Sequence, residues 1–292
     1  MKKYIFCGLI FACLGLATMT AHAGAWLQER GGYYVKFSFN SFSTSEQFSF
    51  AGDRQPLNSQ FSNIIDSEFS DRNLTVYAEL GLMDWFTAVV TTSFKKYSTS
   101  GFNTTDQLKF DNDANGIGDL YLGGRVRLLA QPLVLSLQPI VKLPTGSDDS
   151  AIPRGTGSTD VELRLQVGTV FPLPLHNYFT GDIGYTRRGG QAFHDEVPYF
   201  AEFGIFPVST LILKAAIDGR KSTETISTQA AIIGDSSQNM LIADQDFTQL
   251  WGGVLFNVKP SVQLSLEFST FIAGNNTLAG ETIALGVAFI SP

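Results

Sequence analysis

From residue 31 to residue 290 the chain alternates apolar and polar positions with a period of two. In 117–129, Leu120, Leu122, Val126 and Leu128 share one face, and Asp119, Tyr121, Arg125 and Arg127 the other. In 133–143, Leu133, Leu135, Leu137, Val141 and Leu143 oppose Ser136, Gln138 and Lys142. In 159–171, Val161, Leu163, Leu165, Val167 and Phe171 oppose Asp160, Glu162, Arg164 and Gln166. Such alternation gives a strand one apolar and one polar face. It predicts strands over 31–45, 71–82, 85–97, 117–129, 133–146, 159–171, 177–188, 197–206, 210–221, 246–257, 261–272 and 281–290.

A soluble sandwich alternates too, so three further features decide. Most segments run about 10–13 residues, longer than the ~5–6 of soluble strands and enough for a tilted membrane strand. The connections alternate in length. Short ones lie near Met83-Asp84, 130–132, 172–176, 207–209 and Lys259-Pro260, and long polar ones near 46–70, 98–116, 147–158, 188–197, 222–245 and 273–281. Five short and six long connections give twelve strands, with both termini on the short-turn side. Outer-membrane barrels pair short periplasmic turns with long external loops, so both termini are expected in the periplasm. Aromatics also gather at strand ends: Trp85, Phe171, Tyr178, Phe206, Phe256 and Phe289 near the short turns, and Phe42, Tyr97, Tyr185, Tyr199, Phe247 and Phe271 near the long loops. Rings suit the two membrane interfaces. The expected fold is an all-β, antiparallel transmembrane barrel.

The first residues set the address. Lys2 and Lys3 precede an apolar run from Tyr4 to Met19, and Ala21-His22-Ala23 gives a small-x-small cleavage site. This is a secretory signal pattern, so 1–23 is expected to be removed and 24–292 to form the barrel. Export through it leads to the outer membrane of a Gram-negative bacterium. Cys7 and Cys13 both lie in the leader, which leaves the mature chain without a thiolate or a disulfide framework. Removing Lys2 and Lys3 takes the net charge from −7 to −9, a poor match for nucleic acid. Outer-membrane lipid and the barrel assembly machinery are the expected partners, with a small-molecule substrate the sequence does not name. The last strand resembles an assembly signal, although the chain ends Ile290-Ser291-Pro292 rather than on an aromatic residue.

Several short motifs resemble the outer-membrane transporter family named for the "MetA-pathway of phenol degradation". They are Glu79-Leu80-Gly81-Leu82-Met83-Asp84-Trp85, Gly116-Ile117-Gly118-Asp119-Leu120, Lys142-Leu143-Pro144-Thr145-Gly146 and Gly155-Thr156-Gly157-Ser158-Thr159-Asp160. The resemblance implies a barrel that moves small aromatic or hydrophobic molecules. The motifs read as turns rather than chemistry.

Charges cannot face lipid without a cost of about 2–4 kcal/mol for Arg or Lys at mid-membrane, so they are expected inside. The lumen candidates are Arg125, Arg127, Lys142, Glu162, Arg164 and Asp218, together with Lys36, Glu79, Asp119, Asp160, Asp182, Glu202, Lys214 and Glu267. A hairpin turning about Gln131 would set Asp119 opposite Lys142. Arg125 and Arg127 are the candidate constriction. Segment 24–30 reads as too short to plug a barrel by itself.

Other chemistry is sparse. Asp111-Asn112-Asp113-Ala114-Asn115-Gly116 has calcium-loop spacing, but its twelfth position is Leu122 rather than Glu, so a polar surface loop is expected, with no metal and no cofactor. The mature chain has two histidines, His176 in a short turn and His194 in a long loop, and no G-x-S-x-G. No catalytic residue is assigned. Apolar stretches in 222–245 suit extension of the flanking strands. Three readings stand: a channel or transporter for small molecules, a closed barrel whose loops bind a partner or polymer, and an outer-membrane enzyme.

Overall fold

The computed structural model describes residues 24–146, 152–171, 176–190, 193–226 and 243–291. The expected leader and most of the expected loop 222–245 lie outside the described residues. In chain order the strands are β1 (Tyr33–Thr44), β2 (Glu46–Phe48), β3 (Arg54–Pro56), β4 (Ile64–Met83), β5 (Phe86–Asn103) and β6 (Leu108–Ile117). There follow β7 (Leu120–Leu129), β8 (Val134–Leu143), β9 (Asp160–Phe171), β10 (His176–Arg187) and β11 (Glu196–Val208). Last come β12 (Leu211–Ser222), β13 (Asp246–Lys259), β14 (Val262–Asn275), β15 (Thr277–Leu278) and β16 (Glu281–Ile290).

Sequential antiparallel pairing runs round the molecule, and β1 pairs with both β4 and β16, which closes the sheet. Strands β6 and β7 both pair with β5, at successive heights, so they form one stave broken at Gly118-Asp119. The wall is therefore a closed barrel of twelve staves, and closure leaves no edge to pair with another chain.

The chain is inside out relative to a soluble protein. Phe37, Leu74, Leu165, Leu250, Leu266, Leu285 and many like them are exposed on the outer wall. Glu79, Arg125, Lys142, Asp160, Glu202 and Glu267 are buried within it. An outer face of this kind is stable against hydrocarbon rather than water.

Three expectations need correction. The long-loop ends are more regular than expected. Strand β4 begins at Ile64, and β5 and β6 form a tall hairpin, so Asp111 to Gly116 are strand residues rather than a polar loop. Lys142 lies opposite Tyr121 and Asp160, not Asp119, because the β7–β8 turn falls further along than Gln131. Four of the twelve expected girdle rings are buried in the interior. Trp85, Phe171, Phe256, Phe289 and Tyr185 face out, but Tyr178, Phe206, Phe42 and Tyr97 are buried. Strand parity explains this: Phe42 shares the inward side with Tyr34, and Tyr178 and Phe206 are inward as Glu202 is.

The inward rings build two clusters at opposite ends. Near the long loops, Phe42, Leu57, Phe69, Tyr97, Ala114, Ile152 and Leu278 form an apolar core with Phe271 packed on it. It sits beneath a small sheet in which β2 pairs with both β3 and β15, joining the first and last long loops. Near the short turns, Tyr178, Phe206 and Ile212 pack with Trp26.

Candidate functional site

The interior is not filled. Three cavities of about 300, 400 and 540 Å³ share lining residues and so adjoin one another. Tyr77, Gln138 and Arg164 line both the first and the second. Lys36 and Ser38 line both the second and the third.

Their walls are charged, and most charges are paired. On one side Lys36 binds Glu267, and Lys214 bridges Glu267 at 2.9 Å and Glu202 at 3.0 Å. The Tyr178 hydroxyl donates to the same Glu202 at 2.6 Å. On the other side Arg164 binds Glu162 and, at 3.1 Å, Asp182. Above them, Lys142 lies 2.5 Å from Asp160. Arg188 joins Asp160 to Glu196, and Arg220 reaches Glu196 at 3.3 Å. Removing one member of a buried pair leaves its partner uncompensated, which is what makes such walls fixed in place.

Arg125 stands on the wall of the second cavity. Its guanidinium donates to Glu79 at 2.9 Å, to Gln138 at 2.8 Å and to the Tyr77 hydroxyl at 3.2 Å. It also donates to the Trp26 carbonyl at 2.6 Å. That last bond reveals what sequence reading missed: residues 24–28 fold up into the lumen. Gln28 Nε2 donates to Glu79 Oε2 at 2.6 Å, and Gln28 N to Thr87 Oγ1 at 3.0 Å. Ala25 and Leu27 are buried, and Trp26 meets Tyr178 edge-on at 6.1 Å. Gly81 permits the approach, since a Cβ there would stand 1.9 Å from the Glu29 carbonyl oxygen. The segment is short, as expected, and side chains from the wall hold it in place.

The other candidates are placed as follows. Arg127 stands opposite Ser136 and has no ion-pair partner among the described residues, whereas Arg125 is paired with Glu79. Asp218 stands between Phe200 and Gln249 on β12, on the inward side. Sequence reading missed Arg188 and Glu196, which it placed in a loop, and Arg220, which shares the parity of Lys214 and Asp218.

The glycine-rich motifs meet at one locus. Asp119, at the break between β6 and β7, accepts from Gly146 N at 3.1 Å and Thr156 N at 3.4 Å. Thr145 donates to the Gly118 carbonyl at 2.7 Å, and Lys142 lies 3.8 Å from Asp119. A Cβ on Gly155 would come within 2.3 Å of Asp119. Three separate stretches are thus knotted together beside the lumen, and Ile152 is carried into the apolar core of the mouth.

The histidines sit at opposite ends. His176 begins β10 at the short-turn end and is exposed. His194, at the long-loop end, meets Asp244 at 2.5 Å and Glu224 at 3.2 Å. The hydrogen bond with Asp244 raises its pKa above the ordinary histidine value, and nearby Asp195 adds to the effect.

The model of the family described as "Putative MetA-pathway of phenol degradation" matches residues 49–286. The chain belongs to this family. Among solved structures, the crystal structure of the COG4313 outer membrane channel from Pseudomonas putida F1 superposes with a TM-score of 0.63 at 15% identity. It covers 93% of this chain and 99% of that one. The NanC porin superposes with a TM-score of 0.49 at 8% identity, covering 87% and 98%. No curated protein sequence matches the chain. This member of the phenol-degradation family is an outer-membrane β-barrel of channel-like architecture.

Proposed function

We propose that the protein is an outer-membrane channel that admits small aromatic or hydrophobic molecules, with its long loops outside the cell and both termini in the periplasm. The observation that carries this reading is the run of adjoining cavities through a charge-paired lumen, held between an apolar core at one mouth and an N-terminal segment at the other.

The cavity nearest the long loops supports the substrate class. Phe42, Phe69, Tyr97, Trp251 and Phe271 line it beside Asn40 and Asn73. Ring faces gain from burying apolar area, about 25 cal/mol per Å², while the amides offer hydrogen bonds to a ring hydroxyl. Paired lumen charges give a wall without a strong single-sign field, which suits neutral solutes better than ions.

Channel function rather than catalysis is the reading, in keeping with the family and the channel neighbour. His194 is held by the carboxylates of Asp244 and Glu224 and lines none of the three lumen cavities.

The test is flux of phenol into proteoliposomes holding the refolded chain, against a charged solute of similar size. A phenol entry rate above that of protein-free liposomes, by more than the increment for the charged solute, supports the reading. Equal permeation of both, or of neither, counts against the substrate class.

A further inference from the structure

The outer wall carries one arrangement that transport does not explain. Across four neighbouring strands the register aligns Ser41, Arg72, Lys96 and Asn115 in one row. The row towards the short turns is Phe39, Leu74, Phe94 and Ile117, every one exposed on the outer face. The row towards the long loops is Ser43, Ser70, Ser98 and Asp113.

Arg72 and Lys96 are therefore directly opposed on adjacent strands, both exposed. Like charges so placed repel and destabilise the pairing unless an anion lies between them. Neither side chain has an ion pair or hydrogen bond among the described residues. The nearest acid in register is Asp113, one row beyond Lys96. The lumen cations, by contrast, are mostly taken by carboxylates. The chain is acidic overall, so a cation pair here does not follow from composition.

Height names the occupant. The cations stand at the upper edge of the apolar band, where hydrocarbon gives way to headgroups. Guanidinium forks a phosphate, ammonium adds a point charge, and Ser41 and Asn115 supply flanking donors. We propose that Arg72 and Lys96 form a binding site for the phosphorylated sugar headgroup of an outer-leaflet glycolipid, whose acyl chains lie on the Phe39-Leu74-Phe94-Ile117 row. This rests on the proposed orientation with long loops outside.

The site is tested by native mass spectrometry of the folded protein released from detergent, independently of conductance. The probes are bisphosphorylated lipid A, the same lipid without phosphates, phosphatidylglycerol and inorganic phosphate. The expected result is an adduct with bisphosphorylated lipid A that falls at least fivefold without the phosphates. It should fall equally in Arg72→Gln/Lys96→Gln, while Arg187→Gln/Lys221→Gln, at other outward cations, keeps it. Heat-modifiable gel migration checks that each variant is folded. Equal adducts in wild type and the Arg72/Lys96 variant overturn the site. Preference for phosphatidylglycerol, or binding of inorganic phosphate alone, overturns the glycolipid assignment. A protein silent in bilayers that still shows the phosphate-dependent adduct loses its channel reading and keeps this site.

Discussion

Arg125 Nη1 lies 2.9 Å from Glu79 Oε1, with the two side chains 2% and 0% exposed. The same guanidinium holds the Trp26 carbonyl, and the same carboxylate accepts from Gln28. One ion pair thus joins the wall of the barrel to the segment that fills it.

Arg125→Gln should therefore weaken both. An orphaned buried Glu79 costs about 3–5 kcal/mol. Denaturant unfolding in detergent should show most of that loss, and Arg125→Gln/Glu79→Gln should recover part of it, because no charge is then left alone. A double variant no more stable than Arg125→Gln would show that the pairing is not the source.

Gly81→Ala probes the segment without touching a lumen charge. The new Cβ cannot coexist with the Glu29 carbonyl in its present place. Residues 24–28 should leave the lumen, become open to protease in the folded protein and raise the conductance. Unchanged protease resistance would show that the backbone absorbs the methyl group.

The apolar core at the other mouth is tested by Phe69→Ala. Phe69 is 2% exposed and packs on Phe42 and Tyr97. Truncation should cost about 3–5 kcal/mol. It should also slow phenol entry relative to a small sugar, because an aromatic face is lost. An unchanged ratio of the two rates would remove the core from the substrate path.

The contacts of His194 predict a pH dependence. Its pKa in the folded protein is raised by the hydrogen bond to Asp244, so the charged form is the one the fold favours. The clip is then fully present below the unfolded value of about 6.5 and is lost as pH rises through the higher folded value. Protease cleavage near residues 188–195 should increase over that window, and His194→Gln should flatten the dependence. An identical profile in the variant would assign the titration elsewhere.

The period-two pattern was enough to read the wall, because each strand faces lipid on one side and the lumen on the other. It failed where that contrast ends. Ser98, Ser100, Asp111 and Asp113 extend the β5–β6 hairpin past the apolar band, where the outer face turns polar, and so read as loop. The interior place of Phe42 and Tyr178 was legible in their parity, but the expectation of an aromatic girdle overrode it. The filling segment was not legible. It depends on a missing side chain at Gly81 and on a backbone carbonyl meeting Arg125, neither of which leaves a pattern in neighbouring residues. The knot of Asp119, Gly146 and Thr156 likewise joins stretches that the sequence shows only as separate turns.

Under the proposed function the lumen is a conduit narrowed by residues 24–28. Single-channel recording of the refolded mature chain in a planar bilayer tests it, beside the same chain lacking 24–30. Small ohmic steps are expected for the first and clearly larger ones for the second. Silence from both, with folding and insertion verified, would contradict it and make the barrel a sealed one.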